Sequence, residues 1–395
     1  MAASLLTGIP DYCATGHVTG RVGNRDRYTA PGNCFKTKDG EVLMIIAGNQ
    51  SHFLRLVKAM EMEWLLEDER FAKQEVRFEH AAEIEEIVLR YPNVQVLCSA
   101  MARNMIVQFF GDRFAGQIRV VKEGDTLCTG RHTLQFVAAP MVHWPEVLMT
   151  YDQTDRLLLT ADAFGCFGAL NGHLFNDEVN FDRDYLDEAR RYYTNIVGKY
   201  GPQVQAVLKK ASGLEIAMLL PLHGFVWRSD LGYILGKYDL WSRYEPETRG
   251  VLIAYASVYG NTENAANILA CRLAERGVPV SLYDTSVTPS SYILADAFRL
   301  SHVVFAAPTY NAGVFITMEE LLHDIAAHAL PNRRYALLEN GSWSVTSGRE
   351  MKKILEPLKG WSEVSAPITV KSALREDQLA AIDALADALA ADVKG

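Results

Sequence analysis

Beyond residue 250 the chain repeats one hydrophobic pattern. Apolar, β-branched runs at 251–255, 278–283, 302–306, 335–339 and 366–370 alternate with stretches of helical spacing. Five such runs with intervening helices predict an open parallel sheet covered by helices on both faces. The first run breaks into the polar loop Ser257-Val258-Tyr259-Gly260-Asn261-Thr262 and then, without a spacer, into a helix. The N–H groups of such a loop and the positive end of the following helix suit an anion.

Upstream the pattern is less regular. Residues 80–91 read as a helix with Ile84, Ile87 and Val88 on one face, ended by Pro92-Asn93. Short strands are expected at 94–98, 118–121, 134–138, 147–151, 157–159 and 215–220, with helices ending near Phe110 and over 183–200 and 204–210. Residues 240–249, LWSRYEPETR, read as a polar connector. The first 74 residues offer a hairpin around Asp39-Gly40 and a helix with Phe53, Leu54, Val57 and Met60 on one face.

Composition narrows the class. The 395 residues allow two or three domains, and 49% hydrophobic with 22% charged residues is ordinary for a folded protein. A net charge of −9 argues against nucleic acid or an acidic membrane as partner. Cys13, Cys34, Cys98, Cys128, Cys166 and Cys271 form no C-x-x-C pair, which suits free thiols in a reducing cytoplasm. No apolar run approaches the roughly 20 residues of a membrane span, and MAASLLTGIPDY lacks the basic start of a signal peptide. The expectation is a cytoplasmic protein.

Ligands of open α/β sheets bind outside the carboxyl ends of the strands. There the third and fourth runs deliver Ala307-Pro308-Thr309-Tyr310-Asn311-Ala312-Gly313 and Asn340-Gly341-Ser342-Trp343. With the first loop they place Tyr259, Tyr310 and Trp343 beside permissive Gly260, Gly313 and Gly341, which suits a flat heteroaromatic ring next to a phosphate. G-x-G-x-x-G is absent from the first turn, which disfavours NAD or FAD. SVYGNTE, PTYNAG and NGSW resemble the flavodoxin family, over roughly 250–395. The resemblance implies FMN and a strand order 2-1-3-4-5. It implies a phosphate held by Ser257, Tyr259, Gly260, Asn261 and Thr262. It further implies a ring bordered by Pro308, Thr309, Tyr310, Asn311, Gly313, Gly341, Ser342 and Trp343.

His143, Asp162 and His223 each follow a short expected strand. Taken singly, each reads as a hydrogen-bonded structural residue; together they offer imidazoles and a carboxylate able to bridge two cations. His80, His143, Asp162 and His223 are separated by 62, 18 and 60 intervening residues. With HWPE, DAFG and PLHG they resemble the flavodiiron proteins (A-type flavoproteins) over about 79–395. That resemblance implies an α/β chain in which an incomplete metallo-β-lactamase-like αββα domain (79–248) precedes the flavodoxin-like FMN domain (249–395). It implies two Fe ions held by Glu79, His80, His143, Asp162 and His223, the last three being catalytic. The first ligand cluster departs from the family's H-x-E-x-D-H, reading Glu75-Val76-Arg77-Phe78-Glu79-His80. Arg77 stands where a glutamate ligand belongs. Residues 1–78, with GRVGNRDRYTAPGNCFKTKDGEVLMIIAG and LLEDERFA, resemble an internal segment of the family III CoA-transferases. No residue here matches that family's acyl-carrying aspartate, so no CoA transfer is expected.

The flavodiiron resemblance implies an oxidoreductase. Electrons from a rubredoxin or a flavin/NADH reductase would pass through FMN to a non-haem diiron site reducing dioxygen to water or nitric oxide to nitrous oxide. It also implies a head-to-tail homodimer. Two other readings stand beside it: an FMN electron carrier whose metal site is impaired at Arg77, and a zinc-dependent β-lactamase-like hydrolase. The third needs a fuller His cluster and leaves the flavin loops unexplained.

Overall fold

The computed structural model describes the strands Gly32–Lys36 and Val42–Ile46 and then residues 82–395. The helix expected around Phe53–Met60, and the expected ligands Glu79 and His80, lie outside the described residues. The chain divides into two compact units, Ala3–Lys122 and Glu123–Gly395.

In the first unit β1 (Gly32–Lys36) and β2 (Val42–Ile46) pair antiparallel, Cys34 opposite Met44, as the Asp39-Gly40 turn predicts. Then come α1 (Ala82–Arg90), β3 (Val96–Cys98), α2 (Ala100–Phe110) and β4 (Ile118–Val120), with β3 and β4 parallel. Ser99 caps α2, its Oγ accepting from Ala102 N at 3.1 Å. A small core joins Val88, Cys98, Ile106, Phe110 and Phe114. The expected apolar face of α1 is narrower than Ile84, Ile87 and Val88 suggest. Val88 is buried and Ile84 packs beside it, but Ile87, a step of about 100° round the helix, is exposed.

The second unit opens with β5 (Thr126–Cys128), β6 (Thr133–Ala138), β7 (Leu148–Asp152) and β8 (Leu157–Leu159). The helices α3 (Phe181–Asp184) and α4 (Leu186–Tyr192) follow, and α4 runs on through a π turn at Tyr193–Val197. After α5 (Gly201–Ala211), β9 (Met218–Leu220) completes a five-stranded sheet in the order β5-β6-β7-β8-β9. Only its last pair, β8 with β9, is parallel.

Residues 240–249 are not a polar connector. α6 (Leu231–Ser242) runs into them and buries Ile234, Tyr238 and Trp241. Gly232 and Gly236 weaken its helical signal, so packing rather than propensity fixes it. The side chain of Glu247, polar by type, is tucked away too: it pairs with Arg190 and accepts from Trp241 Nε1 at 2.8 Å and Lys237 Nζ at 2.9 Å.

β10 (Thr248–Tyr255), α7 (Asn261–Glu275), β11 (Val280–Asp284), α8 (Ser290–Arg299), β12 (Leu300–Tyr310) and β13 (Gly313–Val314) begin the last part. α9 (Ile316–Ala327), β14 (Arg334–Asn340), α10 (Ser347–Leu355), β15 (Ser362–Glu363), β16 (Ile368–Val370) and α11 (Leu379–Lys394) end it. The parallel sheet runs β11-β10-β12-β14, and β15 and β16 both pair with β14, so the expected order 2-1-3-4-5 holds.

Strand alternation sends successive residues of the runs into two cores. Val251, Ile253, Val304, Ala306, Ala336 and Leu338 pack with α7 and α11. Leu252, Ala254, Val303, Phe305 and Leu337 join a larger cluster that runs on without a break to Tyr193, Tyr238 and Trp241. One face of the flavodoxin-like sheet therefore shares its core with the part before it. Among the described residues no helix is long and apolar enough to cross a membrane.

Candidate flavin and metal sites

The first cradle forms where β10 ends and α7 begins. Gly260 stands before the first turn of α7 with φ +80°, and a side chain there would meet open space rather than protein. Among the described residues no side chain caps that helix start. Ser257 Oγ is buried without a hydrogen-bond partner. A buried hydroxyl left unpaired beside an uncapped helix N-terminus fits an incoming phosphate. Thr262, the second residue of α7, is also buried.

The aromatic residues of the same rim stand open: Tyr259 is 89% and Trp343 94% exposed. Tyr310 is half-exposed and packs edge-on against Phe315 at 5.7 Å. Asn311 and Ala312, with φ +48° and +61°, turn the chain from β12 to β13, where Gly313 lies opposite Tyr310. Large rings exposed beside a phosphate cradle fit a flat cofactor that would cover them.

Thr309 has a different first task. Its Oγ1 accepts from Thr346 N at 2.9 Å and Ser347 N at 3.1 Å, anchoring the loop that carries Gly341, Ser342 and Trp343. Pro308 lies on β12 opposite Asn340 of β14. Asn340 and Ser372 are participants that sequence reasoning missed. Asn340 Nδ2 reaches Thr262 Oγ1 at 3.2 Å, and Ser372 Oγ donates to Ser342 Oγ at 2.9 Å. An amide before a glycine is too common to announce itself.

The metal candidates come together for a reason of register. β8 and β9 run parallel with Leu159 opposite Leu220, so residues three further on, Asp162 and His223, emerge side by side. Leu222 N donates to Ala161 O at 2.9 Å and holds the two loops together. His143 arrives from the loop after β6. Asp162 Oδ2 lies 3.5 Å from His143 Nε2, and its Oδ1 lies 3.3 Å from His223 Nε2. Each carboxylate oxygen thus faces a different imidazole, the arrangement of a carboxylate able to bridge two cations. Asp162 is buried, while both histidines keep about a quarter to a third of their side chains open.

Backbone strain gathers around these three residues. Met141, Ala161 and Phe164 have φ +65°, +50° and +67°, and Gly224, after His223, has φ +87°. A Cβ on Gly224 would sit 2.8 Å from Cys166 Cβ. Burial pushes the Cys166 thiol up to about 12, so it stays protonated and is a core residue rather than a thiolate ligand. A cavity of about 390 Å³ opens beside His143, between Trp144, Lys199 and Tyr200 on one side and His328 after α9 on the other. Elsewhere, His132, Asp152 and Asp155 cluster within 4.8 Å. Asp152 there accepts from His132 at 2.7 Å and Thr154 N at 2.9 Å, so the group closes its own turn.

Residues 1–102 match CoA-transferase family III, a match that runs through α1 and β3 into α2. The chain is 31% identical over 273 residues to an anaerobic nitric oxide reductase flavorubredoxin of Aeromonas salmonicida, covering 67% of this chain and 51% of that protein. It spans about half the length of the first curated relatives it matches. Among solved structures it resembles the rubredoxin oxygen:oxidoreductase of Desulfovibrio gigas, with a TM-score of 0.75 and 24% identity over 81% of this chain and 80% of that one. It also resembles the flavodiiron protein of Giardia intestinalis, with a TM-score of 0.73 and 23% identity over 80% and 78%. The fold is that pairing of a metallo-β-lactamase-like part with a flavodoxin-like one.

Proposed function

We propose that this chain, matched over residues 1–102 by CoA-transferase family III and similar over most of its length to flavodiiron proteins, is a flavin-dependent oxidoreductase with a second redox site at a metal pair. In this reading residues 1–78, 79–248 and 249–395 are its three parts. The observation that carries the reading is Asp162 set between His143 and His223, in the same chain as an open flavin cradle. Ser257, Tyr259, Gly260, Asn261 and Thr262 would hold the phosphate of FMN. Pro308, Tyr310, Asn311, Gly313, Gly341, Ser342 and Trp343 would border its ring, with Thr309 steadying the last of these loops.

When bound, FMN would relay electrons singly and iron at His143, Asp162 and His223 would bind and reduce dioxygen or nitric oxide. Asp162 would neutralise charge shared between two cations, and His143 and His223 would supply one neutral donor to each. Glu79 and His80 complete the proposed donor set. Strained loops at Met141, Ala161 and Phe164 hold the donors in place before any ion arrives. The cavity beside His143 is the proposed approach for a diatomic substrate. A rubredoxin or a flavin/NADH reductase is the proposed donor, a head-to-tail homodimer the proposed assembly and the cytoplasm the proposed location.

Arg77 favours a second reading. A fixed cation replacing a glutamate ligand opposes two dications, and the chain would then be an FMN carrier with an impaired metal site. The optical spectrum and metal content of the purified protein separate the two. Roughly two irons per flavin supports the first reading. Flavin without iron overturns it and leaves the carrier.

A further inference from the structure

Asn340 lies beneath the cradle, at the last position of β14, and is buried. Its Nδ2 donates to Ser372 O at 3.0 Å and to Thr262 Oγ1 at 3.2 Å. The first bond fixes which way the amide points, because a backbone carbonyl can only accept. The second amide hydrogen is then directed at Thr262, whose hydroxyl must receive it. A hydroxyl that accepts from below keeps its own hydrogen for a partner above. Thr262 occupies the second position of α7, where helix N–H groups converge on an anion.

The same amide braces the ring side. Ser372 has φ +67°, and while its carbonyl receives Asn340, its Oγ donates to Ser342 Oγ at 2.9 Å. One buried side chain thus ties the start of the phosphate helix to the loop that presents Ser342 and Trp343.

We propose that Asn340 is a positioning residue that sets the Thr262 hydroxyl as a donor to the cofactor's phosphate. This rests on the flavin reading above. It assigns Asn340 a role in discriminating phosphorylated from unphosphorylated flavin.

The test compares FMN with riboflavin, which has the ring without the phosphate. Dissociation constants are measured by quenching of flavin fluorescence on the flavin-free full chain. Wild type is expected to favour FMN. Asn340→Leu is expected to weaken FMN about 10- to 100-fold, the range for a lost hydrogen bond to a charged group, while riboflavin binding shifts far less. Thr262→Ala should reproduce that loss, Thr262→Ser should largely restore it, and Asn340→Leu should add little in the Thr262→Ala background.

Equal weakening of both ligands, or additive losses in the double variant, would overturn the proposal by showing a merely structural amide. Should the leucine variant fail to fold, Asn340→Asp carries the test. It keeps the shape, loses the donor and turns the Thr262 hydrogen toward itself, so the same selective loss is expected and an unchanged FMN preference refutes the role. A wild type that binds FMN no better than riboflavin overturns the phosphate reading itself, and the role of Asn340 with it.

Discussion

Glu247 shows how much one residue can hold. Burial alone would raise its carboxyl, but Arg190, Lys237 and Trp241 hold it down at about 2, below its ordinary 4.5. A depressed carboxylate stabilises the fold at pH above its unfolded value and loses that contribution as pH falls through the folded one. Glu247 therefore contributes in full above about pH 5 and progressively less toward about pH 2. Glu247→Gln should lower stability at neutral pH by about 3 kcal/mol, because it leaves buried Arg190 with only the exposed Asp187 as a charged partner. Urea denaturation at pH 7 and pH 3 checks both parts: the gap between variant and wild type should be wide at pH 7 and narrow at pH 3. A gap that does not change with pH would refute the account.

Among elements, β14 carries an unlike pair of ends. Asn340 at one end donates to Thr262 Oγ1; Arg333, just before the other, is buried and donates to the carbonyls of Tyr244, Ala297, Phe298, Pro331 and Asn332. Burial lowers the Arg333 guanidinium to about 9, which still leaves it charged at neutral pH. It closes the end of α8 and binds the segment after α6 to the flavodoxin-like sheet. Arg333→Leu should cost about 3 kcal/mol or more in thermal or urea melts by stranding several acceptors, with the flavin spectrum and FMN affinity unchanged. Altered FMN affinity would show that the two ends are coupled.

β10, β12 and β14 were legible in the sequence because strands buried on both faces must be continuously apolar. α6 was not, since Gly232 and Gly236 dilute its signal and its partners Tyr193 and Phe164 lie far away in sequence. The residue types of the candidate metal trio could be read from sequence. That Asp162 and His223 stand level could not, because it follows from the pairing of Leu159 with Leu220.

At the scale of the whole molecule, the shared core decides what can be separated. Every residue assigned to the FMN cradle lies within 249–395, yet Ile293, Leu294 and Phe298 of α8 pack into a cluster with Tyr193, Tyr238 and Trp241. Residues 249–395 expressed alone should bind FMN but expose that face. A lower melting temperature than the full chain's and self-association on size-exclusion chromatography are expected. A monomeric fragment melting with the full chain would show that the face needs no cover.

The unbroken core has a kinetic meaning as well. A sheet face packed into its neighbour's interior leaves no hinge between the proposed flavin mouth and the trio of His143, Asp162 and His223, so their separation is a constant of the fold. In the proposed function, electron flow between them would not be gated by one part swinging toward the other. Its pace would then be set by the potentials of the two proposed centres or by the approach of a second molecule.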